Sequence, residues 1–426
     1  MNENANVVRL DYGSEGLPLD LTGLNATVLR PRYLEGLQDE HAGFLESVRR
    51  PYETAPLREL IAPGETLAIA IPDITRALPS DRLLLWLFAE LRGLDPGDVT
   101  IIVGTGTHRG NTHAELLQMV GPEILANYRI VNHDARDTTS LLPAGRSPYG
   151  YEVAYCADYV RADRRILMGF IEPHFMAGFS GGYKAVFPGI ANLDAIQTYH
   201  GFTNIAHPKS TWCLIEGNST QNHVRAAGKL LPVDFLVNVT LNTDRQITGY
   251  FCGDVDAAHE AGCEYSRNTA MVRVEEPFPI VVTTNSGYPL DLNLYQTVKG
   301  MSAAHSITAP GGLIITAARC NDGFPEHGAF KDQVLRWESP DEAWRAISSP
   351  DFSEPDQWQT QKLLQIVRTC RVGLFSELDP ALVQRAHLTP IEDVRSAIDA
   401  ELACLGNPVA PVGIVPEGPL TIPYVA

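Results

Sequence analysis

No two of the seven cysteines form a CxxC pair; they are scattered at 156, 213, 252, 263, 320, 370 and 404 and are odd in number. That excludes a disulfide framework and a structural zinc site, and leaves reduced thiols in the core. The chain also lacks a basic stripe: 51 Asp and Glu stand against 33 Lys and Arg, for a net charge of -18. Such a balance argues against nucleic acid and anionic membrane as partners. No apolar run is long enough to cross a bilayer, and "LLLWLFAEL" at 83–91 falls far short. "MNENANVVRL" at the start lacks the basic and apolar regions of a signal peptide, so a cytoplasmic location is expected. There is no low-complexity tract, internal repeat or charge run.

What is present is an ordinary globular composition, 44% hydrophobic and 20% charged over 426 residues, enough for an ample core divided between two domains. Three early apolar runs end in loop residues and read as buried parallel strands: "TLAIAIPD" (66–73), "VTIIVGTGTH" (99–108) and "RRILMGFIEPH" (164–174). Between the first two, "LPSDRLLLWLFAELRG" has a helix start at Ser80-Asp81 and a stop at Gly93, which completes a strand-helix-strand unit. "DFLVNVTLNTDRQITGYFCGD" (234–254) alternates and turns at Asn242 to Arg245, as a hairpin does. A second series begins at "FPIVVTTNSG" (278–287) and runs through the helical "LNLYQTVKGMSAAHSI" to the strand "GGLIITAA" (311–318). The loop-rich "SSPDFSEPDQWQT" (348–360) precedes a helix through "KLLQIVRT" and a strand at "VGLFSEL". The expected class is α/β, with two α/β domains and mostly parallel sheets: an N-terminal domain over 1–272 and a C-terminal domain over 273–404. The Pro-rich tail, 405–426, is expected to return onto the first domain.

Each early strand ends in polar residues: Asp73, Thr75 and Arg76; Thr105, Thr107 and His108; Glu172 and His174. Ligands of open α/β sheets bind outside the carboxyl ends of the strands, so these three ends predict one crevice. "GTGTHRG" (104–110) has the spacing GxGxxxG rather than that of a dinucleotide fingerprint, and suits a tight turn able to cradle a phosphate. "GFSGGYKA" (178–185) invites comparison with a P-loop, yet it ends Gly182-Tyr183-Lys184-Ala185, which disfavours a triphosphatase. Lys184, between glycines and apolar residues, is either a snorkelling side chain or a desolvated amine suited to a covalent bond with a carbonyl or thioacyl group. Histidines 108, 174, 200 and 207 have no HxH or HExxH spacing; imidazole suits nickel as well as zinc. Further on, Tyr295 and Lys299 of "NLYQTVKG" share a helix face, His305 and His327 lack such company, and Trp358 reads as packing.

Taken as an ordered set, His108 in "GTGTH", His174 and Lys184 in "EPHFMAGFSGGYK", the "FPGIA" after it, His200 in "YHG" and "YQTVKG" resemble the nickel-dependent lactate racemase family of 2-hydroxyacid racemases and epimerases. The resemblance covers nearly the whole chain. It implies nickel and a nickel-pincer nucleotide, a pyridinium-3,5-bisthiocarboxylic acid mononucleotide derivative covalently attached to Lys184 as a thioamide, with His200 as the protein ligand to nickel. It also implies that the glycines before Lys184 let the backbone approach this cofactor. In the implied chemistry the cofactor accepts hydride from the substrate Cα while a histidine removes the hydroxyl proton. A planar 2-ketoacid then takes the hydride back on either face, with His108 and His174 as the two bases.

Arg76 and Lys299 would fix the substrate carboxylate and neutralise the cofactor phosphate, with Tyr295 and Gln296 as neutral donors. Lys299 would close an active site lying in the cleft between the two domains. Asp73 and the loop of Thr105, Gly106 and Thr107 would touch cofactor ribose or phosphate. Lactate is the first substrate expected; malate-like, aromatic or sugar 2-hydroxyacids are the alternatives, a choice for Phe175, Met176 and Tyr183 to shape. The implied partners are the enzymes that build the cofactor. A nicotinamide-dependent 2-hydroxyacid dehydrogenase using "GTGTHRG", and a metal or nucleotide carrier, are the competing readings.

Overall fold

Both faces of the strand Leu67–Pro72 are covered by protein, as its unbroken apolar run demands. The structure is a computed structural model that describes residues 6–91, 93–325 and 328–426; His327 lies outside these. Val99–Gly104 and Arg164–Phe170 flank Leu67–Pro72 in parallel register. Arg129–Asn132 extends the sheet on one side and Phe235–Leu241 on the other, both parallel. Ile247–Gly253 closes it as the antiparallel arm of the expected hairpin. At the hairpin's turn, Asn242 Oδ1 accepts from the amides of Asp244 and Gln246. The helix Ser80–Glu90 buries Leu83, Leu84 and Leu87 as the crossover between the first two strands. After the second strand, the helix His113–Asn127 begins at a capping box of Thr112 and Glu115.

A second six-stranded sheet is parallel throughout, in the order Thr389–Ile391, Arg371–Phe375, Thr308–Ala317, Phe278–Thr284, Pro411–Val415, Asn25–Val28. The helix Leu294–His305 makes the crossover from Phe278–Thr284 to Thr308–Ala317 and buries Leu294, Val298 and Met301. Among the described residues no helix is long and apolar enough to cross a membrane.

The chain divides into two units along lines that sequence order did not suggest. An N-terminal unit comprises Tyr33–Tyr199 and Lys209–Asn268; a C-terminal unit takes residues up to Arg32, His200–Pro208 and Thr269–Ala426. The division expected at 272/273 falls between Asn268 and Thr269, residues up to Arg32 and His200–Pro208 join the C-terminal unit, and the tail packs in that unit's sheet rather than on the first domain. The tail strand Pro411–Val415 lies between Phe278–Thr284 and Asn25–Val28, and Ile422–Val425 pairs in parallel with Met271–Val274. The physical reason is the run Val412-Gly413-Ile414-Val415, wholly buried, which needs neighbours on both edges and cover on both faces.

Truncation after Pro408 is expected to abolish cooperative folding of the C-terminal unit. It removes an interior strand and the burial of Val412, Ile414 and Val415, worth about 1.5–3 kcal/mol apiece before any ladder bonds are counted. The check is a thermal melt followed by proteolysis, in which Tyr33–Tyr199 and Lys209–Asn268 resist and the remainder is cut.

Candidate active site

Three loops at the carboxyl ends of parallel strands carry the reactive side chains of the N-terminal unit. The first follows Leu67–Pro72. Asp73 is buried, and its Oδ1 accepts from the Thr75 hydroxyl at 2.6 Å and the Thr75 amide at 3.2 Å. Its Oδ2 stands 2.7 Å from Nδ1 of His108, in the loop after Val99–Gly104. A carboxylate only accepts, so Nδ1 carries the proton and Nε2 of His108 keeps its lone pair. Burial pushes the Asp73 carboxyl up, but the bond to His108, aided by Thr75 and Arg76, outweighs it and holds the group below its usual range. Arg76 meets Glu172, from the third loop, at 3.2 Å.

The loop bearing His108 is shaped by Gly106, whose φ of 58° lies in the left-handed region and whose amide donates to the Gly189 carbonyl at 2.9 Å. The Thr105 hydroxyl points inward and donates to the His133 carbonyl at 2.7 Å, while Gly106 and Thr107 are half-buried.

The third loop holds His174 and Lys184. Pro173–His174 pairs with Gly178–Phe179 in a short antiparallel ladder, and Nδ1 of His174 accepts from the amides of Met176 and Ala177 at 3.2 and 3.1 Å. Its proton is therefore on Nε2, which faces Lys184 Nζ at 3.5 Å. Lys184 sits on one turn, Gly182–Ala185, entered through Gly181 and Gly182 at φ of 82° and 55°. A Cβ on Gly181 would stand 2.6 Å from Asn238 Oδ1, and one on Gly182 would stand 2.8 Å from the His259 ring. These glycines thus let the turn rest on buried protein groups. Phe175, Met176 and Tyr183 are buried: Phe175 packs on Trp212, and Tyr183 lies where a Cβ on Gly228 would go.

In the C-terminal unit, His200 stacks on Trp358 with ring centroids 4.2 Å apart. Trp358 Nε1 donates to the Tyr295 hydroxyl at 3.2 Å, and Gln359 donates to the Tyr295 carbonyl. Gln361 reaches the Phe202 carbonyl at 3.0 Å, and the Thr360 hydroxyl donates to Gln333 at 2.7 Å. All four belong to the helix Gln357–Val367, which starts inside the stretch expected to be loop. Burial pulls the Lys362 ammonium on this helix down to about 8. Tyr295, Gln296 and Lys299 share the first turns of Leu294–His305, capped by Asn293, which accepts from the Gln296 amide.

The structure therefore joins Asp73 to His108, Arg76 to Glu172, His174 to Lys184, and His200 through Trp358 to Tyr295. Sequence reasoning missed Asn238 and His259 and took Trp358 for packing alone. Among the described residues no group of three or more His, Cys, Asp or Glu side chains is arranged to hold a metal ion.

A parallel sheet presenting two histidines and a lysine at its carboxyl ends, with a second parallel α/β unit bearing a stacked histidine, defines a two-domain α/β protein built for acid-base chemistry. Residues 12–213 match the lactate racemase N-terminal domain, and residues 274–422 match the lactate racemase C-terminal domain. The chain is 35% identical over 377 residues to the lactate racemase of Lactiplantibacillus plantarum, covering 88% of each. It is 31% identical over 423 residues to that of Thermoanaerobacterium thermosaccharolyticum, covering 96% of this chain and 97% of the other. The solved lactate racemase apoprotein from the latter organism superposes with a TM-score of 0.91 over 98% of this chain and 99% of its own. A Thermotoga maritima protein at 17% identity, with a TM-score of 0.68 over 92% of this chain, shares the fold. The chain belongs to the lactate racemase family.

Burial pulls both His223 and His259 down to about 4. The unfolded chain takes up these protons at about pH 6.5, so their contribution to stability is complete above that value and is lost as the pH falls towards about 4. Replacing either by Gln is expected to flatten the stability profile across that window, as urea melts at a series of pH values would show.

Proposed function

We propose that the protein interconverts the D and L enantiomers of a 2-hydroxyacid, lactate first, with Lys184 as the covalent tether of a nickel-pincer nucleotide and His200 as the protein ligand to its nickel. The observation that carries the acid-base part is the Asp73-His108 pair, which leaves His108 Nε2 as a ready base. Family membership favours this reading over a dehydrogenase. The residues fit the cofactor in two respects. Lys184 stands on a glycine turn with its amine facing an imidazole N–H. His200 offers one imidazole, a donor type that suits nickel, to a cofactor that would bring the metal with it. When bound, the nucleotide supplies a carbon that takes the substrate's Cα hydrogen with its electron pair and returns it.

The chain's own residues account for the proton. His108 Nε2 removes the hydroxyl proton, and Asp73 stabilises the imidazolium that forms. This route avoids a carbanion next to a carboxylate, and it yields a planar 2-ketoacid open on both faces. On the other side His174 takes a proton from solvent, becomes imidazolium and donates from Nε2 to the substrate oxygen; in the opposite direction the freed Nε2 takes the hydroxyl proton. Protonation at Nδ1 costs the bonds from the Met176 and Ala177 amides, and negative charge developing on the substrate oxygen offsets that cost. Arg76, held on one side by Glu172, and Lys299 with Tyr295 and Gln296 are the groups proposed for the substrate carboxylate. Gly106 and Thr107 are proposed to line the cofactor's sugar-phosphate end, with Asp73 and Thr105 ordering that loop from within. Seven thiols, none of them in a disulfide, suit a reducing cytoplasm, and the enzymes that build the nucleotide are the partners this reading needs.

Two outcomes test the reading. Protein co-produced with the cofactor-building enzymes is expected to turn a single lactate enantiomer into a mixture without net oxidation, followed by chiral chromatography beside larger 2-hydroxyacids. The Lys184→Ala protein should be silent. Asp73→Asn is expected to cost about 10²–10⁴ in kcat by releasing the His108 tautomer. Because enantiomers have equal free energy, kcat/KM falls by the same factor from either side; an Asp73→Asn protein that keeps the parent's kcat would refute the role of the Asp73-His108 pair.

A further inference from the structure

The turn that carries Lys184 is bonded to two buried side chains from other elements. His259, on the helix Val255–Ala270, is 2% exposed and stands with Nε2 2.9 Å from the Ser180 carbonyl. A carbonyl only accepts, so the imidazole proton is on Nε2 and is donated there. Asn238, 1% exposed on Phe235–Leu241, accepts from the Gly182 amide at 2.8 Å. The Lys184 amide then closes the turn on the Gly181 carbonyl at 3.1 Å. The His259 ring also fills the place of a Gly182 side chain, so ring and turn touch as well as bond. With its pKa near 4, the imidazole stays neutral and keeps a single N–H at neutral pH.

We propose that His259 is a positioning residue: its Nε2–H, held on the Ser180 carbonyl, fixes the Gly181-Gly182 turn and thereby the place of the Lys184 amine. Ser180 is bonded in turn to the strand end that leads into His174. Its amide donates to the Glu172 carbonyl at 2.9 Å, and its hydroxyl accepts from the Glu172 amide at 3.2 Å. The imidazole thus braces the segment from which both the lysine and one histidine project. The inference rests on the assignment of Lys184 as the tether. A histidine that only fills space would tolerate any side chain of its size, whereas one that works through its N–H tolerates only a donor.

The test compares His259→Gln, which keeps an N–H donor on a side chain of similar size, with His259→Met, which keeps the size without the donor. In apo-protein, the rate at which an amine-acylating reagent labels Lys184, relative to the other lysines, is read by peptide mass spectrometry alongside Tm. The Met variant is expected to shift that rate by about threefold or more, while the Gln variant follows the parent. After co-production with the cofactor-building enzymes, the fraction of Lys184 carrying the nucleotide mass should fall about tenfold with Met and recover with Gln. Equal labelling and loading in Met variant and parent would overturn the proposal, as would a Gln variant that behaves like Met while both keep the parent's Tm. Should His259→Met fail to fold, His259→Phe, a ring without the donor, replaces it. If the parent never carries the nucleotide mass, the tether assignment falls, and the labelling comparison still decides the role of His259.

Discussion

A strand buried on both faces has no room for polar chemistry along its length. In Leu67–Pro72 and its two parallel neighbours, beyond Thr100 and Arg165 near the strand starts, the interior side chains are committed to the core, so the next polar residues stand where the strands end. Parallel pairing brings those ends to the same edge of the sheet. Asp73 can therefore reach His108, and Arg76 can reach Glu172, although each pair is distant in sequence. The rest of the N-terminal unit's site depends on this: the third strand delivers His174, and the loop after it doubles back to deliver Lys184.

The chain states this part of its design openly. Short apolar runs closed by Pro-Asp, Gly-Thr-Gly and Glu-Pro-His mark both the strands and the points where chemistry begins, and the hairpin at Asn242 is equally plain. Less legible is anything that depends on a distant contact. The reason for Gly181 and Gly182 lies in Asn238 and His259, far along the chain, and no local pattern announces it. The unit boundaries were hidden for a similar reason: Asn25–Val28 is too short to be read as a strand without the strand that pairs with it.

The helix Gln357–Val367 shows a different limit. Burial normally writes itself as an apolar stripe, and here Gln357, Gln359, Thr360, Gln361 and Lys362 are all buried. The side chains of Gln359, Thr360 and Gln361 reach carbonyls and a side chain of neighbouring segments, so the helix adds fixed hydrogen bonds to the packing of Leu363, Leu364 and Ile366. Trp358 is the exception that points to the purpose: one side of its ring stacks on His200, and its N–H holds the Tyr295 hydroxyl. A core of this kind favours a fixed side-chain geometry over plain stability.

The placing of Pro411–Val415 between Phe278–Thr284 and Asn25–Val28 bears on how the molecule is made. Segments of the N-terminal unit leave the ribosome early and hold all the strands of their own sheet. Asn25–Val28 is synthesised earlier still, yet the neighbour it pairs with emerges after every other strand of the sheet. Until then that edge of the C-terminal sheet stays open, and the helix that pins Tyr295 also follows Leu294–His305 in the chain. Ordering of the C-terminal unit thus waits for Pro411–Val415, after the lysine-bearing loop has all the strands it stands on.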